Sequence, residues 1–387
     1  MTERIRLVVL YGGRSAEHEV SRTSGRYVAE CARAGGLVVD LVGITRDGRW
    51  VRPPARLPDR GATGEALPTL GDDLPTVSAD EALERRSGES LVVFPVLHGP
   101  FGEDGTVQGL CEMAGVPYVG PGVLSSAVCM DKPVSKRLLQ AAGLSVARHI
   151  ALRAGEVTAE TPGALLAELG SPVFVKPANL GSSIGISKAA DVTQVAEALA
   201  LASGYDDRLI VEEFVPGREL EVSVLGNEEL RASLPGEIVP GGEFYDYDDK
   251  YLNDTAELHA PADLPDEVSE EVQNLAVAAA RALGVEGLGR VDFLYDEAAS
   301  PNRRLIVSEI NTMPGFTPIS MYPRLWAVSG LDGPALIAEL VRLALDRDRR
   351  RATFAGRGRM TLEDVLSREQ HAEYTRSLCD DPDLTTS

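Results

Sequence analysis

The sequence lacks any pairing of cysteines that would indicate a disulfide framework or a zinc site. Its four cysteines, Cys31, Cys111, Cys129 and Cys379, are scattered, with no Cys-x-x-Cys spacing and no histidine nearby. Cysteines used in this way are typical of reduced thiols in the cytosol rather than of small secreted scaffolds. We therefore expect a cytoplasmic protein.

Long apolar runs and positive charge are also scarce. No stretch approaches the roughly 20 apolar residues that span a membrane, and the short apolar run near the start is stopped by Gly12 and Gly13, unlike a signal peptide. Lysine and arginine number 38 against 59 aspartate and glutamate, giving a net charge of -21. Nucleic acid and membrane insertion are therefore not expected, because a phosphate backbone needs basic surface. A nucleotide substrate needs only a local basic pocket.

The first 44 residues show a strand, a helix and a second strand. Arg6 to Tyr11 is a short apolar strand, the stretch SRTSGRYVAECARAGG is helical in pattern, and Leu37 to Ile44 is a second strand. This order predicts a βαβ unit and hence a parallel sheet. The intervening GGRSAE lacks the third glycine of the dinucleotide fingerprint, so a nicotinamide or flavin enzyme is disfavoured.

Polar residues follow two strands of this predicted sheet. Glu17 lies between the first strand and its helix, and His98 follows the strand Leu91 to Leu97 in HGPFGEDGTVQG. Ligands of open α/β sheets bind at the carboxyl ends of the strands. Two alternatives remain open at this point. Glu17 could have no other role than to stabilise the helix N-terminus, and His98 could belong to an ordinary glycine-rich surface loop.

The most informative stretch is Leu288 to Pro323. It predicts a hairpin whose turn is centred near Pro301, with Asp292 opposite Glu309. Strand alternation then puts Arg290 and Asn311 on the same face. Carboxylate and amide oxygens in such a patch suit Mg²⁺, which completes its shell with phosphate oxygens and water. The alternative is a charged, solvent-exposed face of an antiparallel sheet.

The middle of the chain carries the signs of a phosphate site. A helix is predicted from Asp131, with Pro133 in its first turn, and Lys132 and Lys136 on it could simply be solvated. A strand with Lys176 then enters the loop NLGSSIG. Glycines let backbone amides approach a phosphate, and a lysine adds a point charge. A glycine- and serine-rich hairpin flap without a ligand is the alternative.

Two further stretches carry candidate ligands. LIVEEFV predicts a strand from Leu209 to Val215, followed by Glu219; its carboxylates could accept ribose hydroxyls, or could be surface charge on an edge strand. Later, Tyr251 and two other tyrosines crowd round Lys250 in a polar loop. Residues 51–90 predict an irregular insertion, and the polar end after residue 353 predicts a partly disordered appendage with a short helix near 362–378.

Eight motifs, in their order and rough spacing, together resemble the D-alanine–D-alanine ligases, which are ATP-grasp carboxylate–amine ligases. They are GGRSAEHEVS, VLHGPFGEDGTVQG, VCMDKPVSKRLL, VKPANLGSSIGISK, VEEFVPGRELEVSVLG, FYDYDDKY, GLGRVDFLY and EINTMPGFTPISMYP, and the resemblance covers residues 5–348. It implies a mixed α/β and α+β fold with the three-domain ATP-grasp architecture. These would be a Rossmann-like parallel-sheet domain at 1–130, a central domain at 131–228 and a C-terminal domain at 229–350, with a polar tail at 351–387.

The resemblance also implies roles for individual residues. Those near ATP would be Lys132, Lys176, Ser183, Glu212, Glu213, Val215, Glu219 and the Phe293–Leu294 pair. Those that hold Mg²⁺ would be Asp292, Glu309 and Asn311. Those that bind the two D-alanines or act on them would be Glu17, His98, Ser182, Lys250, Tyr251, Arg290, Gly315 and Ser320.

The implied activity is the ATP-dependent joining of two D-alanines through a D-alanyl phosphate, for peptidoglycan precursor synthesis. The resemblance implies two Mg²⁺ ions, with Mn²⁺ as a substitute, and a homodimer. In this family a tyrosine at the position of Tyr251 accompanies D-alanine rather than D-lactate as second substrate. The alternatives are a related ligase with D-lactate or another D-amino acid as second substrate, and a non-catalytic ATP-binding protein.

Overall fold

The structure is a computed structural model that describes residues 4–54, 66–241 and 256–358, without the side chains of 354–358. The strands are β1 (Arg4–Gly12), β2 (Val38–Ile44), β3 (Trp50–Val51), β4 (Glu89–Val96), β5 (His149–Arg153), β6 (Val173–Pro177), β7 (Ser187–Ala189), β8 (Arg208–Glu213), β9 (Arg218–Gly226), β10 (Arg231–Ala232), β11 (Gly236–Val239), β12 (Glu257–His259), β13 (Gly287–Tyr295) and β14 (Leu305–Asn311). The α-helices are α1 (His18–Ala34), α2 (Ala79–Ala82), α3 (Thr106–Met113), α4 (Val123–Met130), α5 (Lys132–Ala141), α6 (Thr161–Leu169), α7 (Val192–Ser203), α8 (Asp266–Ala282), α9 (Met321–Val328) and α10 (Gly333–Gly358). The chain is therefore a mixed α/β protein.

The first four strands form the N-terminal sheet, in the order β3-β2-β1-β4. β1 pairs in parallel with both β2 and β4, which confirms the predicted βαβ opening. Its central strand is fully buried, from Leu7 to Tyr11, because helices or loops cover both faces of a parallel sheet. The polar residues that follow β1 and β4 consequently lie at one edge of this sheet.

The middle sheet is antiparallel and has the order β5-β8-β6-β7. Side chains alternate across it. One face, with Val173, Val175, Leu209 and Val211, packs into a core with α6 and α7. The other face carries polar residues of β8 and β6, and α5 lies against it. Asp131 caps α5 by accepting the amide hydrogen of Val134 at 2.9 Å.

The C-terminal sheet is also antiparallel, in the order β12-β11-β9-β13-β14, and β10 pairs with β9. Helix α8 packs one face of this sheet through a core that includes Val222, Val291 and Phe293. The predicted hairpin is present, because β13 and β14 pair with Asp292 opposite Glu309 and Arg290 opposite Asn311. The other face of the sheet is therefore free to present polar side chains.

Two compact units are distinguished, of which the first ends at Leu345 and the second begins at Asp346. The second is helical as far as Gly358 and contains the ion pair Arg349–Asp346 at 2.8 Å. The predicted helix near 362–378 lies outside the described residues, as does 55–65 of the predicted insertion. None of the described helices is long and apolar enough to cross a membrane.

Candidate active site

The hairpin β13–β14 presents a row of charged side chains on one face of the C-terminal sheet. The Arg290 guanidinium donates from Nε and Nη2 to the two carboxylate oxygens of Asp292, both at 2.7 Å, and it lies 3.1 Å from Glu221. Asn311 Nδ2 donates to Asp292 Oδ2 at 2.8 Å. Since Glu221 and Glu309 are the register partners of Asp292 on the two neighbouring strands, three carboxylates cross the sheet side by side.

This row suits Mg²⁺ by its chemistry. Asp292, Glu309 and Asn311 offer hard oxygen ligands, and a carboxylate has about four acceptor positions, so Asp292 can bind a cation while it accepts from Arg290 and Asn311. Within the described parts of the chain, no group of three or more His, Cys, Asp or Glu side chains is placed to hold a metal ion by itself. An ion bound here would therefore need the amide, phosphate oxygens or water to complete its shell.

A second charged centre, which we call the lysine cluster, consists of Lys132, Lys136, Lys176 and Glu212. Glu212 Oε2 accepts from Lys176 Nζ at 2.8 Å, and Glu212 Oε1 lies 3.0 Å from Lys136 Nζ. Lys132 Nζ donates to the carbonyl of Leu180 at 2.5 Å and lies 3.7 Å from Glu309. The lysine cluster and the charged row of β13 and β14 are thus in contact.

The charges of the lysine cluster perturb one another strongly. Burial by itself would raise the pKa of Glu212, but the attraction of Lys136 and Lys176 outweighs burial and holds that pKa well below its usual range. Burial lowers the pKa of Lys136 and outweighs the opposing attraction of Glu212, while the repulsion of Lys176 lowers it further. For Lys176, the attraction of Glu212 outweighs the desolvation, and the pKa is raised.

Glu213 lies on the opposite face from Glu212, because successive side chains of β8 alternate. It accepts hydrogen bonds from the Arg148 backbone N–H at 2.8 Å and from Arg148 Nε at 2.6 Å, and it pairs with Arg303 of the β13–β14 turn. The side chain of Glu213 is therefore not among those of the lysine cluster. Val215 follows in the half-buried connection between β8 and β9.

The remaining residues of β9 and β13 separate by face. Glu219 is the register partner of Leu294, and both share the face of Asp292. Phe293 points the other way and is buried in the core against α8, at 1% exposure. Of the Phe293–Leu294 pair, only Leu294 therefore shares the face of Asp292, because side chains alternate along a strand.

The loop between β6 and β7 holds Ser182 and Ser183, which take positive φ angles of 53° and 57°. Non-glycine residues adopt this left-handed region rarely, and both serines are half-buried. Lys132 is bound twice to the start of the loop, directly after β6, since its backbone N–H donates to the Ala178 carbonyl at 3.0 Å and its Nζ donates to the Leu180 carbonyl. The loop is thus connected to the start of α5.

His98 and Glu17 lie at the edge of the N-terminal sheet, where both are buried. His98 Nδ1–H donates to the Met313 carbonyl at 3.0 Å and lies 3.6 Å from Glu103, while Nε2 lies 3.3 Å from Ser24 Oγ. Burial opposes protonation of His98, but Glu103 and Glu17 outweigh it, and its pKa is raised. The pKa of Glu103 is raised, chiefly by burial.

The segment after β14 approaches this edge. The Phe316 N–H donates to Ser24 Oγ at 3.2 Å, and Ser320, at the start of α9, accepts from the Thr317 N–H at 3.0 Å. A Cβ on Gly315 would lie 2.8 Å from Ser320 Oγ, so glycine permits this close approach. Lys250 and Tyr251 lie outside the described residues.

Four residues of this region were not predicted as site residues, namely Ser24, Glu103, Lys136 and Glu221. Glu221 had a usable signal, because it alternates with Glu219 and so shares its face. Glu103 lies only five residues after His98. Lys136 had no such signal, because its burial depends on strands 70 or more residues further along the chain.

Comparison with known proteins gives a consistent result. A family model described as the D-ala D-ala ligase N-terminus matches residues 6–121, and one described as the C-terminus matches 138–342. The D-alanine–D-alanine ligase of Acetivibrio thermocellus is 42% identical over 90% of this chain and 97% of its own length.

Solved structures are similar as well. The D-alanine-D-alanine ligase of Coxiella burnetii has a TM-score of 0.74 at 36% identity, over 91% of this chain and 98% of that one. The VanG D-Ala:D-Ser ligase of Enterococcus faecalis has a TM-score of 0.73 at 33% identity, over 88% of this chain and 99% of that one.

Proposed function

We infer that this chain, which belongs to the D-alanine–D-alanine ligase family, joins two D-alanine molecules into D-alanyl-D-alanine while ATP is converted to ADP and phosphate. Membership of the family rests on the two family models and on relatives of more than 40% identity over 90% of the chain. The product is a precursor of peptidoglycan, so the enzyme serves cell wall synthesis.

The observation that carries this function is the contact between the two charged centres. Lys132 of α5 lies 3.7 Å from Glu309 of β14, so a triphosphate lying there would meet ammonium groups on one side and metal-binding oxygens on the other. Phosphoryl transfer needs this kind of charge neutralisation more than it needs covalent help. A non-catalytic ATP-binding protein is disfavoured, because a degenerate copy would be expected to have lost some of these charged residues.

The reaction requires that a carboxylate be activated before an amine can attack it. The carboxylate of the first D-alanine takes the γ-phosphoryl group of ATP, and the amine of the second D-alanine displaces phosphate from the resulting acyl phosphate. Arg290 stabilises the negative charge that develops on the reacting oxygens, and Lys132 and Lys176 bind the phosphates. Asp292, Glu309 and Asn311 would hold Mg²⁺, which would supply further neutralisation of the phosphate charge.

The D-alanines are bound from the side of the N-terminal sheet. Glu17 binds the ammonium of the first D-alanine, and His98 lies near its carboxylate. Ser320 binds the carboxylate of the second, and the Gly315 backbone contributes to the oxyanion site. Ser182, Lys250 and Tyr251 are proposed to complete the site, from which water must be excluded because an acyl phosphate hydrolyses readily.

The ATP-binding residues lie on two sheets. Lys176, Ser183 and Glu212 belong to the middle sheet and its loops, where the backbone of Glu213 and Val215 would meet the adenine end, while Glu219 and Leu294 belong to the C-terminal sheet. We propose that ATP lies between these sheets and that the chain has the three domains of an ATP-grasp enzyme, at 1–130, 131–228 and 229–350. The contacts of Lys132 and Lys136 with both sheets support this arrangement.

Other features of the proposal depend on family membership alone. They are two Mg²⁺ ions, which Mn²⁺ could replace, a homodimer and a cytoplasmic location. Within the described residues Cys31, Cys111 and Cys129 are buried and form no disulfide, which agrees with a reducing compartment.

A second candidate function differs only in the second substrate. It is favoured by the similarity to a solved D-Ala:D-Ser ligase, and D-lactate is a further candidate acceptor. Tyr251 supports D-alanine, because in the family a tyrosine at this position accompanies D-alanine rather than D-lactate as second substrate.

The proposal is tested by phosphate release from MgATP with D-alanine alone, and with D-alanine plus D-serine or D-lactate. We expect release with D-alanine alone, D-alanyl-D-alanine by mass spectrometry, and loss of release in Glu309→Gln, which removes one metal-binding charge. Arg218→Gln is the matched control, since it removes a charge elsewhere on the same sheet. Release only with a different acceptor would replace the second substrate, and ATP binding without release would contradict catalysis.

A further inference from the structure

Lys132, Lys136 and Lys176 form ion pairs in the described part of the chain. The Lys136 side chain is the most deeply buried of these three, with only 2% exposed. Its ammonium contacts two different sheets. It lies 3.0 Å from Glu212 of the middle sheet, and it donates to the Ser308 carbonyl of the C-terminal sheet at 3.0 Å. A buried ammonium is retained only where it is paired and hydrogen-bonded, and both of its partners here are internal.

Glu212 faces a different situation from an ordinary buried carboxylate, because it has two ammonium partners. Lys136 contacts Oε1 and Lys176 contacts Oε2. One cation is enough to balance its charge, so the second is in excess. If a ligand drew one lysine away, the carboxylate would remain paired, whereas a buried charge left without any partner costs several kcal/mol.

The two lysines are not equivalent. The Lys176 side chain is 16% exposed, lies 5.7 Å from the face of the Phe174 ring, and is also attracted by Glu309 and Glu219. Its strand leads directly into the Ser182 loop. Lys136, by contrast, is enclosed and held by a second acceptor, the Ser308 carbonyl. Lys176 is thus the partner that is able to leave Glu212.

We propose that Lys136 is a positioning residue that serves as the permanent counter-ion of Glu212, so that Lys176 can leave Glu212 and bind the phosphates of ATP. This inference rests on the proposed function, since it requires ATP at this site. Lys136 itself does not touch the nucleotide. It acts by lowering the free energy needed to separate Lys176 from Glu212.

The composition of the chain agrees with this role. Only 5 of its 38 basic residues are lysines, and three of those five form the lysine cluster. An ammonium is a compact point charge that can share one carboxylate with a second ammonium, whereas the planar guanidinium of arginine prefers a bidentate pair. Two arginines at 136 and 176 would each compete for both oxygens of Glu212.

The test is a double-mutant cycle on the binding of a non-hydrolysable MgATP analogue, measured by calorimetry on the full-length chain. In Lys136→Met we expect Kd to rise about 10-fold, within the usual range of coupling between contacting residues, because Glu212 then holds Lys176. In a Glu212→Gln background the same substitution should change Kd less than about twofold, since no charge remains to be balanced. Arg137→Met is the matched control, because it removes a positive charge from the exposed side of the same helix.

Three outcomes would overturn the proposal. An equal rise in Kd in both backgrounds would mean that Lys136 acts only through its bond to Ser308, and no rise in Lys136→Met would mean that it does not act on binding at all. Should Lys136→Met not fold, a structure of the wild type with the analogue decides the matter. Lys176 should then have left Glu212 while Lys136 remains, and the reverse would contradict the proposal. Failure of the wild type to bind the analogue would instead contradict the proposed function.

Discussion

The pKa values of two largely enclosed glutamates of this protein are shifted in opposite directions. Glu103, at the edge of the N-terminal sheet, has a side chain 14% exposed and one neighbouring histidine, and its pKa is raised. Glu212, in the lysine cluster, has a side chain 6% exposed and two lysines, and its pKa is lowered. Burial raises the pKa of both, so the number and strength of nearby cations decides the direction.

The difference matches the ligands that each region is proposed to bind. The edge with Glu103, His98 and Glu17 is rich in carboxylates and suits the ammonium of an amino acid. The lysine cluster is rich in ammonium groups and suits phosphates. The C-terminal row combines both, because Arg290 lies between Asp292 and Glu221.

The largest expected effect concerns the charged row of the C-terminal sheet, where the Arg290 guanidinium pairs with the carboxylates of Asp292 and Glu221. Arg290→Ala should lower the rate of phosphate release at saturating substrates on the order of 100-fold, as loss of a preorganised oxyanion donor does. Arg218→Ala is the control, since Arg218 makes a similar bidentate pair with Glu237 at 2.6 Å on the same sheet. Equal losses in the two variants would mean that Arg290 has only a structural role.

The adjacent residues Glu212 and Glu213 provide a sharper comparison, because they have the same side chain but lie on opposite faces of the middle sheet. Glu212→Gln should raise KM for ATP by about 10-fold, a shift typical of a lost contact within a charged network, and leave KM for D-alanine unchanged. Glu213→Gln should leave both KM values within about twofold and lower stability instead, because it loosens Arg148 and Arg303. Steady-state kinetics and thermal unfolding of both variants would check this, and a larger effect of Glu213→Gln on KM for ATP would contradict it.

The smallest effect is the dependence of stability on pH. Because the pKa of Glu212 is depressed in the folded state, ionised Glu212 contributes to the free energy of unfolding. This contribution is fully present above the unfolded pKa of 4.5 and is lost as pH falls from 4.5 towards the folded pKa. Because the pKa of Glu103 is raised, the folded state holds its proton longer, and its contribution declines as pH rises above 4.5.

The free energy of unfolding in urea should be measured for each Glu→Gln variant and for wild type, without nucleotide, at several pH values. The loss of unfolding free energy should change with pH in opposite directions in the two variants. The destabilisation by Glu212→Gln should grow as pH rises towards 4.5. The destabilisation by Glu103→Gln should shrink as pH rises from 4.5 towards neutrality, by about 1 kcal/mol for each unit of pKa shift. If the destabilisation changed with pH in the same direction in both variants, the pKa values of Glu103 and Glu212 would be shifted in the same direction, which would contradict the difference between the two regions.

Local features of the site could be predicted from the sequence. The pairing of Asp292 with Glu309 follows from a short turn between two alternating strands, and the parallel pairing of β1 follows from the spacing of strand, helix and strand. The resemblance by itself does not separate Phe293 from Leu294. Strand alternation in the structure places Leu294 on the face of Asp292 and sends Phe293 into the core.

Distant partners could not be predicted in the same way. The contacts of Lys136 with Glu212 and Ser308 join residues 76 and 172 positions apart, and the sequence alone left open that Lys136 is simply solvated. Glu213 had been assigned to the adenine, but its side chain joins Arg148 and Arg303 on the other face.

The sequence by itself determined the family, the kind of charged residue at each motif and the register of the hairpin, because these depend on residue types and on short spacings along the chain. Only the tertiary structure decided which charges meet. Whether a buried lysine or glutamate is paired, and in which direction its pKa moves, depends on burial and on partners from other strands, and neither can be known before the sheets are packed together.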